Sequence, residues 1–279
     1  MFSSNRLLSK EEARELDLSN RIALEAQITD RRTEQIDFEW FKSKDTDFER
    51  FARSMPARQY LLDFLGPLEG KVMLDVACGY SMSPVIFALA GATVFALDVA
   101  PRTVSTVQRF AEYKGVGDRV CAMVAPGEYL PFPSASFDCI YGNAALHHLQ
   151  LWRAGPELAR VLRPGGRAGF QDPLGENAVL EFVRDHLPYR KKHPEKGTDH
   201  PLRLSDVEGF SRYFSTCTYR TFQLFSMLVK PLNLSRTSPI RGNLQRLDDA
   251  IFERLPPMRK YARHVVICAT KESGSVAKK

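Results

Sequence analysis

From residue 71 onward, short β-rich segments alternate with segments that have helical periodicity. The segment KVMLDVA predicts a buried strand, SPVIFALAG a helix closed by its glycine, and TVFALDV a second strand. The next segment, APRTVSTVQRFAEYKG, predicts a helix with an apolar face at Val104, Val107 and Ala111. Strands separated by helices at this spacing pair in parallel through right-handed crossovers. The chain is therefore predicted to form a doubly wound α/β sheet.

Composition and charge limit the class of protein. The 279 residues suit one enzyme-sized unit. The apolar runs are interrupted by Gly, Thr and Asp, and the N-terminus is acidic where a secretory signal would be apolar, so we expect no membrane span and a cytoplasmic protein. Five cysteines without a C-x-x-C pair indicate buried reduced thiols and no metal site. Positive charge is concentrated after residue 150, which fits an anionic substrate, an acidic partner or a solvated basic face.

The loop LDVACGYSMSP follows the first strand, where open α/β sheets bind their ligands. Asp98 ends the second strand, 23 residues after Asp75, where a carboxylate can accept hydrogen bonds from the hydroxyls of a ribose. A dinucleotide fingerprint needs three glycines, but Ala77, Gly79 and Met82 occupy the corresponding positions. No Gly-Lys-Ser or Gly-Lys-Thr of a phosphate-binding loop follows either. The loop therefore predicts a nucleoside cofactor without a pyrophosphate.

The order VMLDVACGYS, VFALDV, GEYLPFPSASFDCIYGNAALHHL and ELARVLRPGG resembles the class I S-adenosylmethionine-dependent methyltransferases over roughly residues 70–172. The resemblance implies a Rossmann-like, mostly parallel seven-stranded sheet with helices on both faces. It implies S-adenosylmethionine as the cofactor and S-adenosylhomocysteine as the product. By position it places Asp75, Ala77, Cys78 and Gly79 beneath the methionine part, Asp98 at the ribose, Val99 on adenine, Gly127 and Glu128 at the adenine edge, and Asn143 at the methionine end. Ser81, in the same loop, is also assigned to cofactor binding.

The chain departs from the family pattern at three positions of this site. The usual glycines are replaced by Ala77 and Ser81, which predicts a tighter loop or an altered cofactor pose. Pro126 stands where an acidic residue commonly precedes the adenine edge. Either Glu128 substitutes for that residue, or water and backbone read the adenine amino group. These departures leave open a fold that binds a ligand without transferring a methyl group.

The resemblance also divides the chain into three regions. Residues 1–65 form a helical N-terminal cover, residues 66–175 the cofactor-binding core, and residues 176–279 an acceptor-site insert and C-terminal strands that complete the same sheet. Aromatic residues of the cover form a lid or pack on the sheet, and packing is the expected role of most of them. They are Phe38, Trp40, Phe41, Phe48, Phe51 and Tyr60.

The chemistry of the expected reaction limits what the protein must supply. Methyl transfer is an in-line displacement from an activated donor, so positioning provides much of the catalysis. A general base is needed only where the acceptor loses a proton, and His147 and His148 are the candidates, unless they merely cap the strand and pack the next loop.

The acceptor is expected to be a small molecule. An anionic or amphiphilic acceptor is the hypothesis for its character, because a basic insert precedes a segment rich in Phe, Leu and Met. Trp40, Asp199 and His200 are the candidate acceptor contacts, the last two because the family has a similar acidic-His-Pro-Leu pattern. RNA and protein methylation are the alternatives. Nucleic acid is not expected, since the loop after the fourth strand lacks an Asn- or Asp-Pro-Pro-aromatic motif.

Overall fold

The structure is a computed structural model that describes residues 17–177, 201–229 and 239–272. Within them, seven strands form one sheet in the order β3-β2-β1-β4-β5-β7-β6. The strands are β1 (Val72–Val76), β2 (Thr93–Asp98), β3 (Val120–Val124), β4 (Phe137–Asn143), β5 (Leu162–Pro173), β6 (Thr216–Phe222) and β7 (His264–Thr270). Strands β1 to β5 are parallel, whereas β7 is antiparallel to both of its neighbours. The predicted Rossmann-like, mostly parallel sheet is confirmed.

Helices lie before the sheet and in its crossovers. The cover consists of α1 (Leu18–Glu34), α2 (Phe38–Lys42), α3 (Phe48–Ala52) and α4 (Pro56–Leu65). The crossovers contain α5 (Ser83–Leu89), α6 (Pro101–Tyr113) and α7 (Leu151–Val161), and the C-terminal part contains α8 (Leu204–Ser211) and α9 (Pro239–Arg254). No helix in the described ranges is both long and apolar enough to cross a membrane.

Local sequence explains most of these boundaries. Helix α6 begins at Pro101, which suits the first helical position, and Val104, Val107 and Ala111 are buried as predicted. Strand β5 begins directly after α7, because Leu162 already pairs with Phe137. The Pro-Gly-Gly segment at residues 164–166 therefore lies inside the strand, at a shift of its register.

The N-terminal aromatic residues mostly pack on the sheet layer. The ring of Phe41 is buried against Phe110 at 5.6 Å between centroids, and Phe51 contacts Phe87 at 5.9 Å. Trp40 is the exception, because 40% of its surface is exposed at the mouth of a cavity. The prediction of a packing role for most of these rings is confirmed.

The cysteines are all free in the described ranges. Cys78, Cys139 and Cys268 are buried, and Cys217 is partly buried. The expectation of buried thiols was wrong for Cys121, which is exposed because β3 forms an edge of the sheet.

Candidate active site

A cavity of about 780 Å³ opens at the carboxyl ends of β1, β2 and β4, beneath the helices of the N-terminal cover. This is the edge at which parallel α/β sheets bind ligands. Nine of the ten predicted cofactor residues line it, and Asp75 lies buried behind the wall. His148 and Trp40 also line the cavity, whereas His147 does not. Asp199 and His200 lie outside the described residues.

The loop after β1 passes beneath the cavity in a left-handed conformation. Ala77 has φ +49° and Gly79 has φ +54°. The backbone N–H of Gly79 donates to Oδ2 of Asp98 at 2.9 Å, which joins the ends of β1 and β2. A Cβ built on Gly79 would meet no atom within 4 Å, so the space above this glycine belongs to the cavity. A ligand can therefore approach the backbone closely at Gly79.

Ser81 has a structural function where the family usually has glycine. Its hydroxyl oxygen accepts from the backbone N–H of Ser83 at 3.1 Å and lies 2.9 Å from the hydroxyl of Ser83. The Ser83 hydroxyl donates in turn to Oδ2 of Asp75 at 2.6 Å. This chain of hydrogen bonds fixes the start of α5. Sequence analysis missed Ser83, although its place at the first turn of a helix was a signal.

Burial controls the electrostatics of the site. Burial raises the pKa of Asp75 to about 7, although the hydrogen bond from Ser83 opposes the rise. Burial also raises the pKa of Asp98, against the hydrogen bonds from the N–H groups of Ala100 and Gly79. The pKa of the Cys78 thiol is raised by burial and by the two carboxylates, so this thiol is a poor nucleophile.

The predicted adenine edge is closely packed. A Cβ on Gly127 would lie 2.8 Å from Cδ1 of Leu149 and 3.2 Å from Cγ2 of Val76, so any other residue there would have to displace the Leu149 side chain. The neighbouring Glu128 is buried, and its Oε1 accepts from the backbone N–H of Gln150 at 2.9 Å. Burial raises the pKa of Glu128, and this hydrogen bond opposes the rise. Glu128 thus anchors the start of α7 from the cavity wall.

The two adjacent histidines have different environments. Nδ1 of His147 lies 2.8 Å from Oδ1 of Asp172, at the end of β5, and the imidazole faces a second cavity of about 520 Å³ beside α7 and α8. Nδ1 of His148 lies 3.4 Å from Oε2 of Glu25 in α1, and its ring faces the main cavity. Sequence reasoning did not single out Asp172 or Glu25, because neither is near the histidines in the chain.

The N-terminal cover adds aromatic and cationic side chains to the main cavity. Nζ of Lys44 lies 4.2 Å from the centroid of the Trp40 ring. Arg58 lies 4.3 Å from the centroid of Phe51, which also lines the cavity. This wall combines apolar surface with positive charge, and of its residues only Trp40 was predicted to contact an acceptor.

Known proteins resemble this chain in sequence and in fold. Residues 74–170 match the family model described as a methyltransferase domain. This match and the position of the cavity support the assignment of residues 74–170 to a methyltransferase domain, in agreement with the resemblance to the class I S-adenosylmethionine-dependent methyltransferases.

Particular relatives agree with this assignment. The 27-O-demethylrifamycin SV methyltransferase of Amycolatopsis mediterranei is 34% identical over 124 residues, which cover 42% of this chain and 46% of that protein. The sterol 24-C-methyltransferase of Pneumocystis carinii is 30% identical over 138 residues, 46% of this chain and 37% of that protein. The matches thus span less than half the length of these curated relatives.

A solved structure extends the similarity of fold beyond the matched segment. The geranyl diphosphate C-methyltransferase of Streptomyces coelicolor A3(2) superposes with a TM-score of 0.54 over 76% of this chain and 77% of that chain. Only 15% of the residues are identical, so this match concerns the fold.

Proposed function

We propose that this protein transfers a methyl group from S-adenosylmethionine to a small-molecule acceptor. The observation that carries the proposal is the hydrogen bond between the loop at Gly79 and the carboxylate of Asp98. It presents an open glycine backbone and a fixed carboxylate to one cavity. When bound, the cofactor supplies an activated methyl group. The chain itself binds, orients and shields the reactants, since positioning provides most of the catalysis in such a displacement.

The residues of the cavity fit the proposed cofactor. Both oxygens of Asp98 already accept backbone N–H groups, and this fixes a carboxylate whose remaining lone pairs suit the hydroxyls of a ribose. Val99, Gly127 and Glu128 line the part of the cavity proposed for adenine. Asn143 and the loop from Ala77 to Ser81 are proposed for the methionine part.

Isothermal titration calorimetry with S-adenosylmethionine and S-adenosylhomocysteine tests the cofactor assignment, with NAD as the negative control. Asp98→Asn keeps the size of the side chain and removes its charge, and we expect a loss of affinity of roughly tenfold or more. Asp138→Asn is the matched control, because Asp138 accepts a backbone N–H from Val72 at the opposite edge of the sheet. Equal affinity in wild type and Asp98→Asn would disprove the assignment.

We further propose an amphiphilic acceptor with an anionic end. Trp40 and Phe51 provide apolar surface on the cover side of the cavity, and Lys44 adds a cation beside it. The names of the two relatives, a rifamycin and a sterol methyltransferase, support a large apolar acceptor. The proposed contacts of Asp199 and His200 belong to the same acceptor. A screen of apolar acceptors with and without a carboxylate tests this proposal, and equal turnover of both sets would contradict it.

For an acceptor that loses a proton, His148 is the proposed general base. Its imidazole faces the cavity and lies next to Glu25, and His is the side chain that most often acts as a general base. With a hydroxyl acceptor, we expect His148→Gln to lower kcat by about 100-fold. His147→Gln is the matched control and should keep most of the activity, because the His147 ring lies outside the main cavity. An unchanged kcat in His148→Gln would exclude this role.

A further inference from the structure

Arg58 presents an unmatched positive charge to the main cavity. It lies in the first turn of α4, and its guanidinium rests on the ring of Phe51 at 4.3 Å from the centroid. The guanidinium donates to the backbone carbonyl of Phe51 at 3.4 Å and to the hydroxyl of Ser54. It also lies near the hydroxyl of Tyr141, where its positive charge opposes the rise that burial causes in the pKa of that group. These contacts hold the guanidinium in one position.

All of these partners are neutral. Among the described residues, no carboxylate lies within 4.0 Å of the Arg58 guanidinium, although neighbouring arginines of the cover such as Arg50 and Arg53 have acidic partners. The Nε of Arg58 is buried and has no hydrogen-bond partner. Arginine cannot shed its charge by losing a proton. A charged group with an unsatisfied donor in the wall of a cavity destabilises the folded protein, and an anion bound in the cavity offsets that destabilisation.

The contacts of Arg58 define where this anion would bind. Tyr141 in β4 is the register partner of Asp75 in β1, so the guanidinium lies beside the carboxyl end of β1. Arg58 lines the cavity together with Tyr80 and Ser81, which belong to the loop after that strand. This is the part of the cavity proposed above for the methionine portion of the cofactor.

We propose that Arg58 binds a carboxylate in this cavity, namely the α-carboxylate of the amino-acid part of the cofactor. This inference rests on the proposed function. A guanidinium pairs with a carboxylate through two parallel hydrogen bonds, which fixes orientation as well as charge. Arg58 would thereby hold the amino-acid end of the cofactor, while Asp98 holds the ribose.

Calorimetry can isolate this contact with two ligands. One is S-adenosylhomocysteine, and the other is its decarboxylated analogue, which keeps the amine and lacks the carboxylate. We expect wild type to prefer S-adenosylhomocysteine by roughly 10- to 100-fold, the range for hydrogen bonds to charged groups. Arg58→Gln should lose this preference and Arg58→Lys should keep part of it. Arg53→Gln is the matched control and should retain the preference, because Arg53 is exposed and pairs with Glu49.

Melting temperatures of the empty proteins separate ligand binding from a purely structural role. If Arg58 only braces Phe51 and Tyr141, Arg58→Gln will melt at a lower temperature and weaken both ligands equally, which would refute the proposal. If it binds the carboxylate, the empty variant will melt at or above the wild-type temperature, because a charge without a counterion has been removed.

The remaining outcomes are also decisive. Full preference for S-adenosylhomocysteine in a folded Arg58→Gln variant would overturn the assignment to the cofactor. If the KM for carboxylated acceptors alone then rises, the anion held by Arg58 belongs to the acceptor. Failure of wild type to bind either nucleoside would refute the proposed function itself, and the inference with it. Binding without preference in wild type would refute the inference alone.

Discussion

Replacement of Asp75 by Asn should make the protein more stable, and increasingly so as the pH rises. The side chain is fully buried, and burial raises its pKa from 3.8 to about 7. Above pH 3.8 the unfolded chain releases this proton while the folded protein retains it up to about pH 7. Stability contributed by this carboxyl is therefore complete below pH 3.8, declines as the pH rises, and is lost above about pH 7.

The pKa difference determines the size of the effect. At 1.36 kcal/mol per pKa unit, the buried carboxyl lowers the free energy of unfolding by about 4 kcal/mol above pH 7, and by about 2 kcal/mol at pH 5, where the folded protein must hold a proton that the unfolded chain has released. Asn removes this cost, and its amide oxygen can still accept the hydroxyl of Ser83. The stability advantage of Asp75→Asn should therefore grow by about 2 to 3 kcal/mol between pH 5 and pH 8.

Urea unfolding of wild type and Asp75→Asn at pH 5, 6, 7 and 8 measures this difference. Linear extrapolation gives the free energy of unfolding at each pH, and an unchanged m-value shows that the same surface unfolds in both proteins. The reasoning is refuted if the difference is independent of pH, or if wild type is the more stable protein at pH 8. A more stable variant with weaker cofactor binding would show that the buried charge is kept for binding.

Two further pairs of variants test local geometry. Ala77→Gly should raise the free energy of unfolding by up to about 1 kcal/mol, because Ala77 has a left-handed backbone that glycine adopts without strain. Ala111→Gly should lower the free energy of unfolding by about 1 kcal/mol or more, because Ala111 lies inside α6 and glycine disfavours a helix. An equal loss in both would contradict the left-handed conformation. Asp248→Ala should cost about 3 to 5 kcal/mol, because this buried carboxylate accepts four hydrogen bonds from the segment after β6. The neighbouring Asp249→Ala should cost less than about 1 kcal/mol, since it loses only part-exposed contacts with Arg220 and Gln245. Chemical denaturation measures both, and similar losses at the two aspartates would contradict the assigned hydrogen bonds.

The departures from the family pattern illustrate the limit of a motif. The sequence shows that Ala77 and Ser81 replace glycines, but it does not show which replacement strains the backbone. In the structure only Ala77 has a positive φ, whereas the Ser81 hydroxyl binds Ser83 at the start of α5. One substitution thus retains a conformation that favours glycine, and the other adds a hydrogen bond.

The sequence by itself determined the parallel core of the sheet and the position of the main cavity at its carboxyl edge. The alternation of strands and helices places the loop after β1 and the end of β2 at one edge of a parallel sheet, so Gly79 and Asp98 could be assigned together. Their contact depends on neighbouring strands and on short connections, which local patterns encode.

Only the tertiary structure decided which side chains complete the cavity. The His147 ring contacts Asp172 and lies outside the main cavity, whereas the His148 ring lies beside Glu25 and lines that cavity. Arg58 reaches the end of β1 from a helix that precedes the sheet. These partners are separated by 17 to more than 100 residues in the chain, and no periodicity links such positions. A buried imidazole or guanidinium needs a hydrogen-bonding partner, and only the packed fold determines which groups lie close enough to provide one.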